Sequence, residues 1–318
     1  MRVLLITLCA LLIGTFQSWS AYDYEVDGIY YNLYRCELEV TCGEKKYQQK
    51  EMVIPAHVTI DGWEFKVISI GPDAFRNNHF IKSVTLPNTI QFIRSNSFNG
   101  SFLESINLPE SLWYIEEGAF EQCNLSKIDI PAGITTIEKN AFYLCTYLQA
   151  VRLPDTLQSI EEDAFSCTAI TTITIPENVY SIGLHAFYNS NITEIYCLAP
   201  EPPHIRHPDG YVYGFPFDKD TYQTATLYVP NQYLDRYMNC DHWGRKNSFI
   251  PSEEDAYFRN IKGFDPDGID DVTVDLDSKD AIEIYDIKGV KVPETILNLK
   301  NGIYIIRQGK NRKKLLVK

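Results

Sequence analysis

Positive charge is in short supply in this chain: 29 Lys and Arg stand against 42 Asp and Glu, a formal net charge of −13. A surface with that balance repels phosphate backbones, which argues against nucleic acid as a partner. The exception is the tail, where Lys310, Arg312, Lys313, Lys314 and Lys318 crowd together. That pattern suits either a solvated strand edge kept from pairing or a local anionic contact. Apolar runs long enough for a membrane helix are absent, so no membrane span is expected. There is no glycine-rich phosphate loop, no Gly-x-Ser-x-Gly elbow and no His-Glu-x-x-His, and the chain therefore nominates no catalytic residue.

Metal ligands are sparse as well. His204-x-x-His207 has usable spacing but lies in a Pro-rich loop without a Cys or Glu in a ligand pattern, and reads as an exposed loop pair. Asp265-x-Asp267-Gly268 lacks the distal Glu of a calcium loop and reads as a turn. No metal or cofactor is expected. The amino terminus has the form of a cleavable export signal over residues 1–20: Arg2, an apolar run from Val3 to Phe16, then Ser18-Trp19-Ser20. Of the eight cysteines, Cys9 falls in that run, and the odd remainder argues against a fully paired disulfide framework. Cys36 and Cys42 sit on one alternating run that, if extended, holds them roughly 20 Å apart, beyond disulfide reach.

What the chain does have is a phrase that returns: Ala-Phe or Ser-Phe, a Leu or Ile, an Ile or Val, then Leu-Pro or Ile-Pro. Its Phe falls at 75, 98, 120, 142, 165 and 187, and its Pro at 87, 109, 131, 154 and 176. A period of 22 or 23 residues marks a solenoid in which each rung covers the apolar flank of the next. Each rung holds two short strands, the first closed by Pro, which cannot donate to a ladder. Cys123, Cys145 and Cys167 recur before the first Leu or Ile and are expected to stack as a buried, inert column. The expected organisation is a β-rich cap over 21–67 with a hairpin at Asp61-Gly62, about six repeats over 68–199, a closing cap over 200–262 with helical spacing at Tyr233, Tyr237 and Trp243, a linker over 263–271, and a small β-sandwich-like domain over 272–318.

Stacking brings equivalent residues to strand spacing. On the first strand, Lys127, Asp129 and Arg152 form the one charge cluster, read either as a binding site or as cross-strand pairing. On the second strand, the outward columns carry Phe92, Trp113 and Tyr114, expected to meet on adjacent rungs, with Tyr180 further along. Grouped exposed aromatics suit protein or sugar recognition; cover by the amino-terminal cap or a loop is the alternative.

At these residues the repeat, Ile-x-x-Ile-x-x-x-Ala-Phe, a short insert, then Leu-x-x-Ile-x-Leu-Pro, resembles the BspA-like, or treponemal-type, leucine-rich repeat family. Ile284-Tyr285-Asp286-Ile287-Lys288-Gly289 with Asn301-Gly302-Ile303-Tyr304 and the closing Leu315-Leu316-Val317-Lys318 resembles the sorting domain of type IX secretion. The resemblance implies a mainly β solenoid, exported by a Gram-negative bacterium, secreted or held at its surface. It implies no shared catalytic residues and a partner such as a host extracellular-matrix protein or a glycan. The reading is a monomeric, adhesin-like binding protein; an exported carbohydrate- or peptide-processing enzyme using the loop His204–Tyr213, or a structural envelope component, are the alternatives.

Overall fold

The computed structural model describes residues 22–34, 36–41, 47–206, 215–244 and 257–264, and the backbone of three further strands, Ile282–Asp286, Gly302–Gln308 and Asn311–Val317. The export-signal segment, Cys42, His207 and residues 265–281 lie outside the described residues. The described chain is mainly strand, and its strands are short because each rung turns twice within its period.

The apolar residue that interrupts polar ones in each strand points inward: Val84, Ile128, Ile173 and Ile195 on the first strand, and Ile93, Ile115, Ile137, Ile160 and Ile182 on the second, are buried, and Ile106 and Val151 on the first strand are partly buried against the core. Alternation places their neighbours on the outside. First strands pair in parallel from Glu51–Val53 through Ser83–Thr85 to Ser105–Ile106, from Lys127–Asp129 to Ala150–Arg152, and from Thr172–Ile175 through Glu194–Cys197 and Thr226–Pro230 to Asn260–Phe264. Second strands pair likewise from Trp63–Ile70 through Phe92–Ile93 to Tyr114–Ile115, and from Thr136–Ile137 through Ser159–Ile160 and Ser181–Gly183 to His204–Arg206.

The Ala-Phe segment makes a third ladder out of turns. Phe98 N donates to Ala119 O (2.8 Å), Phe120 N to Ala141 O (2.9 Å), Phe142 N to Ala164 O (2.9 Å) and Phe165 N to Ala186 O (2.8 Å). Backbone groups that a turn would otherwise strand are thereby paired with the next rung. The geometry requires a left-handed residue two before and two after each Phe. Asp73, Asn96, Asn140, Asp163 and His185 occupy the first position, and Asn77, Gln122, Leu144, Cys167 and Asn189 the second, with φ between 52° and 59°. Glycine takes the remaining left-handed places at Gly118 (φ 64°) and Gly100 (φ 67°), where a Cβ would collide with the side-chain oxygens of Asn96 and Asn77.

The six phenylalanines form one interior row. Successive ring centroids are 4.9, 5.3, 5.4, 5.2 and 5.6 Å apart with planes within 11° of parallel. The row is longer than the repeated phrase: Tyr47 adds a ring before Phe75 (4.9 Å) and Phe217 adds one after Phe187 (5.3 Å). Beyond Phe217 the stacking stops, because Tyr222 and Phe258 meet it edge-on at 82° and 70°.

The expected cysteine column is half right. Cys123 and Cys145 are buried and hydrogen-bond the Phe98 and Phe120 carbonyls (3.1 and 3.0 Å). Cys167 does not join them: it lies two residues after its Phe rather than three, in a left-handed, half-exposed position. The column continues instead through Ser101, Thr168 and Ser190, whose hydroxyls are buried; Thr168 and Ser190 both bond the Phe165 carbonyl.

The amino-terminal part is β-rich, as expected. Tyr24–Val26, Ile29–Tyr34 and Glu37–Thr41 run antiparallel, and Glu37–Thr41 joins Trp63–Ile70 in parallel. The Asp61-Gly62 hairpin forms, with both residues at positive φ (51° and 81°). Cys36 is disulfide-bonded, a linkage that the extended-run argument left out. Cys36 itself is not extended: it occupies the turn before the strand Glu37–Thr41, at φ 66°.

At the far end the helix expected around Tyr237 spans Leu234–Asn239. Tyr237 donates to Ala199 O (2.9 Å) and Trp243 Nε1 to Pro203 O (3.1 Å), tying down the Pro-rich break in the period. Gly263 and Phe264, read from sequence as the start of a linker, close the strand Asn260–Phe264. The three last strands form an antiparallel sheet; no second sheet packs on it among the described residues, so the sandwich-like arrangement expected there is described only as one sheet.

Replacing Phe142 by Ala is expected to lower unfolding free energy by about 3–5 kcal/mol, since it empties the middle of the ring row. Equilibrium guanidinium unfolding checks this, with the half-buried, outward-facing Phe92→Ala expected to cost less than about 1.5 kcal/mol.

Candidate binding surfaces

The second strand presents two columns that differ more than alternation implies. In one, Trp113 N donates to Gln91 O (2.9 Å), Gln158 N to Thr135 O (2.8 Å) and Tyr180 N to Gln158 O (2.9 Å). This column is open to solvent, with Trp113 67% and Tyr180 57% exposed. In the other, Phe92 pairs in register with Tyr114, followed by Thr136, Ser159 and Ser181. It sinks along its length, and Ser159 and Ser181 are buried.

Phe92, Trp113 and Tyr114 therefore lie on neighbouring rungs without forming one exposed group. Phe92 is half-buried beneath the Arg94 guanidinium, 4.6 Å from its ring centroid. Arg94 is held there by Glu116 (2.8 Å) and Glu39 (3.6 Å). Burial pushes the Glu116 carboxyl up, but hydrogen bonds from Arg94 and Ser95 outweigh it and leave the pKa below the ordinary value. Tyr114 donates its hydroxyl to Glu138 (2.8 Å), which together with partial burial pushes its pKa up to about 12. Trp113 and Tyr180 remain as the two freely presented rings of the expected set.

On the first strand, register brings Asp129 opposite Arg152 and Lys127 opposite Ala150. All three charged residues are exposed. Among the described residues no ion pair within 4.0 Å joins them, so cross-strand pairing does not consume this cluster. Further along the same column lies a group that the sequence reading missed. Tyr196 and Tyr228 stack at 4.7 Å, Phe264 meets Tyr196 edge-on at 5.9 Å, and Lys262 stands 5.8 Å over Tyr228. The signal was present as outward Tyr residues in two strands, but the register across the period break was needed to align them.

His204 is exposed on the strand paired with Ser181–Gly183. No group of three or more His, Cys, Asp or Glu able to hold a metal exists among the described residues.

The repeat pattern has a known counterpart that matches it rung for rung over residues 68–193. These residues match the BspA type leucine rich repeat region in six copies. No curated protein matches the chain at a significant level. Among solved structures, the pneumococcal vaccine antigen PcpA is 19% identical, with 77% of this chain and 65% of that chain covered and a TM-score of 0.50. A leucine rich cell surface protein from Faecalibacterium prausnitzii is 22% identical over 70% of this chain and 73% of its own, with a TM-score of 0.48. A leucine rich repeat protein of T. pallidum is 22% identical over 65% and 86%, with a TM-score of 0.49. At these identities the likeness concerns the fold alone.

Burial beside the phenylalanine row marks Cys123 and Cys145 as packing groups. Burial pushes Cys123 up to about 12 and Cys145 well above the ordinary thiol value. In native protein at pH 8, iodoacetamide is expected to leave both unmodified, and to label both after unfolding in guanidinium; peptide mass mapping reads the outcome.

Proposed function

We propose that the protein is an exported, adhesin-like solenoid whose repeat faces bind a protein or glycan partner. The observation that carries this reading is the open column Trp113, Thr135, Gln158, Tyr180. It sets two exposed rings three rungs apart, roughly 14 Å at strand spacing, with a hydroxyl and an amide between them. Rings supply rigid contact area at low entropic cost, and polar groups between them supply direction. The second strands are hydrogen-bonded from Thr136–Ile137 to Ser181–Gly183, and the turn ladder, with Gly118 N bonded to Lys139 O and Phe120 N to Ala141 O, ties the Trp113 rung to the next, so the spacing is set before a partner arrives, which lowers the ordering cost of binding.

The unpaired cluster Lys127, Asp129 and Arg152 offers a second, charged patch on the other strand face, suited to steering and register rather than bulk affinity. Export rests on the sequence of residues 1–20, and surface retention on the resemblance of the last strands to a secretion sorting domain. The absence of any recognisable catalytic motif favours a binding protein over an enzyme.

The test is binding of the full chain to immobilised host extracellular-matrix proteins and mucin. Trp113→Ser with Tyr180→Ser is expected to weaken capture by at least about tenfold, while Lys127→Ala with Arg152→Ala chiefly slows association and flattens its salt dependence. Biolayer interferometry at two ionic strengths distinguishes these effects. Equal binding by the folded aromatic variant would remove the column from the reading.

A further inference from the structure

In the repeats, seven or eight residues separate each Phe from its next first strand, as from Phe98 to Ser105 and from Phe142 to Ala150. After Phe217 the same stretch runs nine residues to Thr226. The extra length is taken up by a short helix, Lys219–Thr224. Asp218 caps it, accepting from Thr221 N (2.8 Å) and Thr221 Oγ1 (3.1 Å), and also from Asn189 N (3.1 Å) on the preceding rung. Residues of the helix and of that rung face each other, tied at one end by Asp218. Between the two lies a cleft of about 540 Å³, within the size range of small-molecule sites.

The chemistry of the lining narrows what fits. Asn191, Thr193, Lys219, Asp220 and Thr224 are exposed around the cleft, and Tyr188, 44% exposed, stands at its side. Thr193 already donates to Thr171 O (3.2 Å) and Thr224 to Asp220 O (2.8 Å), so each hydroxyl retains lone pairs to accept from a ligand. Asn191 can both donate and accept, and the Asp220 carboxylate accepts twice. The two carboxylates outweigh the single lysine, which disfavours phosphates and other anions. The wall is too polar for a lipid chain. Asp218 is already engaged by three donors, leaving one carboxylate, too few for a cation.

What remains is a neutral molecule rich in hydroxyl donors that also carries an apolar C–H face for a ring. We propose that this cleft binds a neutral saccharide, as a free sugar or as the end of a glycan. The site is separate from the Trp113–Tyr180 column, and the proposal holds whether or not that column engages a partner.

The test uses the full chain with glucose, galactose, mannose, N-acetylglucosamine and lactose in saturation-transfer NMR, and with an array of immobilised neutral glycans. At least one sugar is expected to bind, and Asp220→Ala and Tyr188→Ser are each expected to weaken it about tenfold or more, with thermal unfolding unchanged. Binding of free monosaccharide and of array glycans alike assigns a simple sugar site; binding on the array alone assigns a glycan end. Trp113→Ser with Tyr180→Ser is expected to leave sugar binding intact, so loss of matrix capture and loss of sugar binding report on different surfaces. Should Tyr188→Ser fail to fold, the exposed Asp220→Ala and Thr224→Val carry the comparison. No binding of any probe, or equal binding by the folded cleft variants, overturns the proposal.

Discussion

Parallel hydrogen bonding fixes the rise between rungs at roughly 4.8 Å, and everything else in the stack must accept that rise. A planar ring is well suited to do so, because offset stacking is favourable at centroid separations of about 4.5–7 Å. The observed separations of 4.9 to 5.6 Å show the two preferences agreeing within one interior row. Bulky, branched side chains could fill the same space, but flat rings do so while keeping a constant orientation from one rung to the next. The turn ladder beside the row, with its left-handed residues two places either side of each Phe, positions the rings without leaving backbone groups unpaired.

The same constraint decides what reaches the surface. Inward residues are confined to apolar side chains or to the small Ser, Cys and Thr beside the phenylalanine row, so the wider range of side chains falls at outward columns. There the chain places Trp113, Tyr180, Lys127, Asp129 and Arg152. The cap segments obey a different logic. At one end an antiparallel sheet joins the second-strand ladder through Glu37–Thr41, and at the other Tyr237 and Trp243 secure the chain where prolines interrupt the period.

Much of this architecture was legible because the period is explicit. Counting from each Phe locates both strands, the inward Ile and Leu residues and the interior row. The error at Cys167 came from following the cysteines rather than the phenylalanines: Cys123 and Cys145 stand three places after their rings, Cys167 two. Tyr47 and Phe217 were illegible because they extend the row without the flanking phrase, Pro216 standing where Ala is expected. Side-chain cover was illegible for another reason. Alternation sends Phe92 outward, but it does not tell that Arg94, anchored between Glu39 and Glu116, folds back over the ring. The cleft beside Tyr188 was hidden because a lengthening of one or two residues looks like noise in a period that already varies by one.

The edge-on contacts that Tyr222 and Phe258 make with Phe217 bear on how such molecules can associate. A flat face left bare at the last ring would invite another copy to dock and continue the column, producing fibres of indefinite length. Perpendicular rings offer no matching plane, so the stacked row closes at Phe217, and a ring continuing it would first have to pry the closing aromatics away.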